Sequence, residues 1–171
     1  GGKGGAGKTT TAAALAAEMA ARGDTPLVVD AALDMPDLHH VADVSRTPGL
    51  DALAAGRRLE RLVQYSTRLD GAAVLPTGRK DGLSPSVLTR VAAWDGAVLV
   101  DCPAGASEAA TAPLRAADRA LLASTATVAS LTDATKTAAT ARALNCPPVG
   151  AVLTRAARQP GTASLLGCPV L

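Results

Sequence analysis

Eight residues near the start of the chain, Gly2-Lys3-Gly4-Gly5-Ala6-Gly7-Lys8-Thr9, constrain its fold more than any other stretch. They satisfy the spacing G-x-x-x-x-G-K-S/T, in which glycines let backbone N–H groups close around phosphate oxygens. Such a loop joins a buried strand to a helix whose N-terminus points free N–H groups at the anion. The run Thr9 to Ala21 supplies that helix: good helix formers, Leu15 and Met19 four apart, and Gly23 placed to end it. The chemistry implied is nucleotide binding. Lys8 brings a point charge to the β- and γ-phosphates and the Thr9 hydroxyl a ligand for Mg²⁺. Gly2, Gly4, Gly5, Ala6, Gly7, Lys8, Thr9 and Thr10 are the expected phosphate-contacting residues.

Downstream, apolar runs alternate with helical ones. Leu27-Val28-Val29 reads as a buried strand ending in Asp30, followed by a loop around Pro36. Gly49 to Tyr65 reads as one or two short helices, and Ala72 to Leu75 as a strand closed by Pro76-Thr77-Gly78. Ser84 caps a helix with Pro85 in its first turn, running towards Trp94. Ala97 to Val100 is the clearest strand and delivers Asp101 at its C-terminal end. Ser107 to Ala117 is expected to be helical around Pro113, Ala120 to Ala123 a strand, Leu131 to Leu144 a helix, and Val149 to Leu153 a strand. Strands without a polar face, separated by helices, argue for an α/β fold: a mostly parallel sheet between two helical layers.

The 171 residues suit one domain, spanning 1–171. At 48% hydrophobic and 19% charged the chain is no disordered polymer. Alanine supplies nearly half of the hydrophobic residues and aromatics only 1%, so the core is built from Val, Leu and Ala, leaving almost no stacking surface for single-stranded nucleic acid. A net charge of +2 gives no footing to a polyanion partner; Arg57-Arg58 and Arg79-Lys80 read as solvated surface. Cys102, Cys146 and Cys168 are odd in number and lack CxxC spacing, which supports neither a disulfide framework nor a zinc site and fits a reducing, cytoplasmic location. The chain opens inside the glycine loop with no strand ahead of it, and Cys168-Pro169-Val170-Leu171 reads as the start of a strand. The expectation is a domain incomplete at both ends, its sheet short of a central member, folding poorly and binding nucleotide weakly as these residues alone.

Lys3 makes the loop more specific. The stretch Lys3 to Thr9 matches KGGxGKS/T and resembles the deviant Walker A loop of the MinD/ParA group of P-loop ATPases. The resemblance continues through Val28 to His39, similar to that family's first switch, Gly49 to Gly56, Leu75 to Gly78, and Val98-Leu99-Val100-Asp101-Cys102-Pro103-Ala104-Gly105, similar to its Walker B strand and second switch, nearest the MinD branch. It implies ATP and Mg²⁺ as cofactors, Lys3 reaching the partner subunit's phosphates across an ATP-closed homodimer, and Asp101, Asp30 and Thr9 at the metal. Lys3, Asp30 and Lys8 then carry catalysis. It also implies an activating protein partner, and docking on a membrane surface in MinD-like members or on non-specific DNA in ParA-like ones. The functional expectation is an ATPase that switches between states to position division sites, chromosomes or other cargo.

Three departures bear on that expectation. The family places a second Asp two residues after the first switch carboxylate, where it orients the attacking water; here Ala32 stands there, and Asp34 is the nearest substitute. Losing such a group costs rate while leaving nucleotide affinity. After Thr125, Ala126-Thr127 stands where the family often has a Pro-Glu pair. Thr154-Arg155 replaces an Asn-Arg pair whose Asn reads the adenine edge; a hydroxyl lacks the amide's paired donor and acceptor. Two alternatives follow: a non-hydrolysing nucleotide-binding scaffold, and a metabolic or metal-delivery relative such as a cobyrinic acid amidating enzyme or an iron–sulfur carrier. His39-His40 reads as packing or surface, since adjacent helix residues do not project together, and Cys102 as a small thiol beside a strand.

Overall fold

The computed structural model describes residues 5–79, 83–103, 108–156 and 166–171. Its chain contacts divide it into two compact units, Thr9–Pro103 and a second made of Gly1–Lys8 with Ala104–Leu171. Helices and strands alternate, and the sheets are mostly parallel with helices against them, as the pattern of apolar runs requires.

In the unit Thr9–Pro103, strand β1 (Leu27–Asp30) lies between β3 (Ala73–Leu75) and β4 (Val98–Asp101), parallel to both. The two-residue β2 (Gln64–Tyr65) adds antiparallel to β3. All four residues of β1 are buried, and the two-residue period of a strand sends them to opposite faces. Leu27, Val29, Ala73 and Leu75 pack with Leu50 and Leu53 of α3 (Leu50–Ala54) and Val87 and Val91 of α4 (Pro85–Val91). Val28 and Val74 turn the other way, onto Ala13 and Ala16 of α1 (Lys8–Ala21) and Leu38 and Ala42 of α2 (Leu38–Ala42). On this face the core is filled by alanines of α1 and α2 against valines of the sheet, with no aromatic side chain among its buried members. β4 forms the edge of this sheet, and Val98, Leu99 and Val100 are only half-buried.

Ser84 caps α4 as expected, accepting the Val87 N–H at 3.3 Å, but the helix stops at Val91 short of Trp94. Trp94 instead donates its indole N–H to the Thr25 carbonyl at 2.8 Å, and Thr25 returns its hydroxyl to the Asp95 carbonyl at 2.9 Å, pinning the start of β1 to the turn before β4. The Arg90 guanidinium donates to the carbonyl of Leu53 in the last turn of α3 and to that of Arg57 just beyond it.

In the other unit, β5 (Ala120–Thr125) and β6 (Pro148–Thr154) run parallel, and Val170 bridges to Ala151 as a further parallel contact. Helix α6 (Val128–Ala143) lays Ala134 and Ala138 against Leu122 and Ala151, while α5 (Glu108–Ala116) carries Pro113 inside it. Thr127 caps α6, accepting the Ser130 N–H at 3.3 Å, so this helix starts three residues ahead of the expected Leu131. β5 and β6 likewise extend to Thr125 and Thr154, which pair in register.

Candidate nucleotide site

The glycine loop is described from Gly5 onward; Gly2, Lys3 and Gly4 lie outside the described residues. Gly5 has φ +84° and Gly7 φ +80°, left-handed conformations that L side chains rarely adopt, and the loop runs straight into α1, whose first residue is Lys8. A glycine turn of this kind leading into a helix supplies backbone N–H donors of the type that bind phosphate. Ala6 is buried, Thr9 half-buried and Thr10 exposed.

The loop is fastened to β6. Thr154 donates its hydroxyl to the Ala6 carbonyl at 3.1 Å and stands 3.3 Å from the Ser124 carbonyl. A Cβ placed on Gly7 would lie 2.7 Å from the Thr154 methyl group, so the loop also packs against this side chain. Arg155 has φ +55° and is exposed. Behind Thr154 stands a set of hydroxyls that sequence reading did not single out. Ser124, fully buried, pairs with Ser130 at 2.8 Å, and Ser130 accepts the Thr125 N–H at 3.1 Å. The only signal for them was the density of Ser and Thr around the end of β5.

In the unit Thr9–Pro103, Asp30 and Asp101 terminate neighbouring parallel strands in direct register, and both are buried. Asp30 accepts the Ala32 N–H at 3.1 Å and the Leu38 N–H at 3.3 Å, so its carboxylate organises the loop after β1 and opens α2. Burial, reinforced by the charge of Asp101, pushes the Asp30 carboxyl up to about 7 despite those two bonds. Two buried carboxylates side by side are a hard oxygen donor set that a divalent cation relieves, and such a set fits Mg²⁺. Ala32 is half-buried and Asp34 exposed. Residues 104–107, which complete the D-x-P-A-G stretch, lie outside the described residues.

The remaining candidates resolve simply. The His39 and His40 rings do meet, with centroids 3.9 Å apart and planes tilted by 37°, against the expectation that adjacent residues diverge. His39 is buried and His40 exposed; burial lowers the His39 pKa, with the neighbouring His40 and Arg46 adding to it. Cys146 and Cys168 are buried free thiols whose pKa burial raises, and Cys102 is half-buried at the end of β4. Among the described residues no helix is long and apolar enough to cross a membrane.

A loop, strand and helix arrangement of this kind defines a P-loop nucleotide-binding domain. Residues 1–166 match the CobQ/CobB/MinD/ParA nucleotide binding domain family, and the chain belongs to that family. It is 33% identical over 169 residues, covering 94% of its own length, to an uncharacterized ATP-binding protein of Methanocaldococcus jannaschii, and spans 64% of that relative. Among solved structures, it superposes on the cell division ATPase MinD of Pyrococcus furiosus with a TM-score of 0.85 and 28% identity, covering 99% of this chain and 78% of that one. It superposes equally, at a TM-score of 0.85 and 25% identity, on the septum site-determining protein MinD complexed with Mg-ADP from Pyrococcus horikoshii, covering 99% of this chain and 76% of that one.

Proposed function

We propose that residues 1–171 act as one nucleotide-binding domain of an ATP-dependent switch that closes a homodimer on MgATP and opens it on hydrolysis. The observation carrying this reading is the left-handed glycine turn that runs directly into α1 at Lys8, a phosphate cradle followed at once by its lysine. The Gly5–Lys8 backbone N–H groups bind the phosphates, Lys8 adds charge at the β- and γ-positions, and Thr9, Asp30 and Asp101 hold Mg²⁺ directly or through its water shell. The ion's contribution is charge neutralisation on the phosphates. Lys3 contributes to the phosphates of the second copy, by its resemblance to the family's early lysine. The D-x-P-A-G stretch and the likeness to two MinD structures favour a membrane-surface partner over DNA, a cytoplasmic protein with a peripheral phase, and a role in placing division sites or cargo, with an activating protein accelerating turnover.

Ala32 supports a second reading, a nucleotide-held scaffold that does not turn over. Steady-state ATP hydrolysis by wild type beside Ala32→Asp separates the two, with sedimentation in MgATP and in MgADP reporting the dimer. Wild-type turnover within about tenfold of the variant, together with an ATP-specific dimer, supports the switch. Turnover by the variant alone establishes the scaffold. Absence of MgATP binding overturns both.

A further inference from the structure

Position 154 is where a base-reading side chain is expected, yet its chemistry is committed elsewhere. A threonine hydroxyl has one proton. Here that proton faces two backbone carbonyls, Ala6 at 3.1 Å and Ser124 at 3.3 Å, one in the phosphate loop and one at the end of β5. The methyl group is committed as well, filling the space beside Gly7 that a Cβ would occupy at 2.7 Å. The Ser124 end of this link is itself held: its hydroxyl meets Ser130 at 2.8 Å, and Ser130 belongs to the capped first turn of α6. Ala6, Ser124 and Ser130 are all buried.

We propose that Thr154 is a positioning residue of the phosphate loop and not a reader of the base: it ties the Ala6–Gly7 turn to the ends of β5 and β6. The inference rests on the nucleotide reading above. With its proton spent on carbonyls, Thr154 offers a base only lone pairs and cannot donate to a purine acceptor. Discrimination between adenine and guanine therefore does not originate at this side chain. Its effect on affinity passes through the loop and is felt by any ligand carrying the polyphosphate, with or without a base.

Calorimetric binding of MgATP, MgGTP and magnesium tripolyphosphate to wild type, Thr154→Val and Thr154→Ser tests this. Losing the hydroxyl while keeping the branched shape is expected to weaken all three ligands by a common factor of about 3 to 10, the worth of one hydrogen bond, and to leave the ATP-to-GTP ratio within about twofold. Thr154→Ser, which keeps the hydroxyl, stays near wild type. Ser130→Ala, removing the support behind Ser124, gives the same base-independent pattern and serves if the valine variant does not fold. A loss confined to MgATP with tripolyphosphate unchanged overturns the proposal in favour of base reading. Unchanged binding of all three by Thr154→Val overturns it while leaving the nucleotide reading intact. Failure of wild type to bind either MgATP or tripolyphosphate overturns the nucleotide reading and this inference with it.

Discussion

Asp30 and Asp101 stand opposite each other as the last residues of adjacent parallel strands, both withdrawn from solvent. Two carboxylates so placed cannot both ionise cheaply, and this yields a pH dependence with a definite sign. The Asp30 carboxyl is raised from 3.8 to about 7 in the folded protein, so between these values the folded state holds a proton the unfolded state has lost. Its contribution is full below about pH 4, declines as pH rises, and is gone above about pH 7, a swing on the order of 4 kcal/mol. Metal-free protein is therefore expected to melt at lower temperature at pH 8 than at pH 5, with Mg²⁺ restoring stability at pH 8 and having little effect at pH 5. Asp30→Asn should flatten the profile. His39, whose pKa is lowered, titrates in the opposite sense, so the difference between wild type and Asp30→Asn isolates Asp30.

At the end of β3, Gly78 has φ +77° and a Cβ there would fall 1.9 Å from the Asp51 carboxylate. That carboxylate accepts the Arg79 N–H at 3.0 Å and the Ala52 N–H at 2.8 Å, tying the start of α3 to the loop after β3. Gly78→Ala adds left-handed strain and displaces Asp51, and should cost about 2 kcal/mol or more in urea unfolding. An unchanged midpoint would show that the loop re-forms without this contact.

Ala138 is fully buried in the α6 face that meets β5 and β6. Small-residue packing leaves no room for a branched side chain. Ala138→Leu should destabilise by about 1–3 kcal/mol, whereas Ala139→Leu, one position on and exposed, should be close to neutral.

Thiol labelling should follow burial. Cys146 and Cys168 combine burial with raised pKa values and should react with a disulfide reagent only as the protein unfolds, whereas half-buried Cys102 should react first under native conditions. Equal rates at all three would mean that the two strands near Cys146 and Cys168 open readily.

What was legible in the sequence was set by neighbours along the chain. β1 announces itself as Leu27-Val28-Val29 because a strand buried on both faces has no polar alternation, and Ser84 with Pro85 marks α4 by local capping chemistry. α2 and β2 were hidden. The first is five residues whose opening N–H is held by Asp30, eight positions earlier, and the second is two residues defined only by pairing with β3. The site divides in the same way. The loop glycines and the strand-end carboxylates follow from motif spacing, while the bond from Thr154 to Ala6 joins positions 148 residues apart and leaves no trace in either neighbourhood.

That separation matters for the order in which the protein comes into being. Ala6 is made 148 residues before Thr154, which at roughly 5–20 residues per second puts about 7 to 30 s of synthesis between the two partners. Throughout that interval a nascent chain displays the nucleotide motif without the residue that fastens it. A chain abandoned midway carries the signature but lacks the hydroxyl that links the loop to β6.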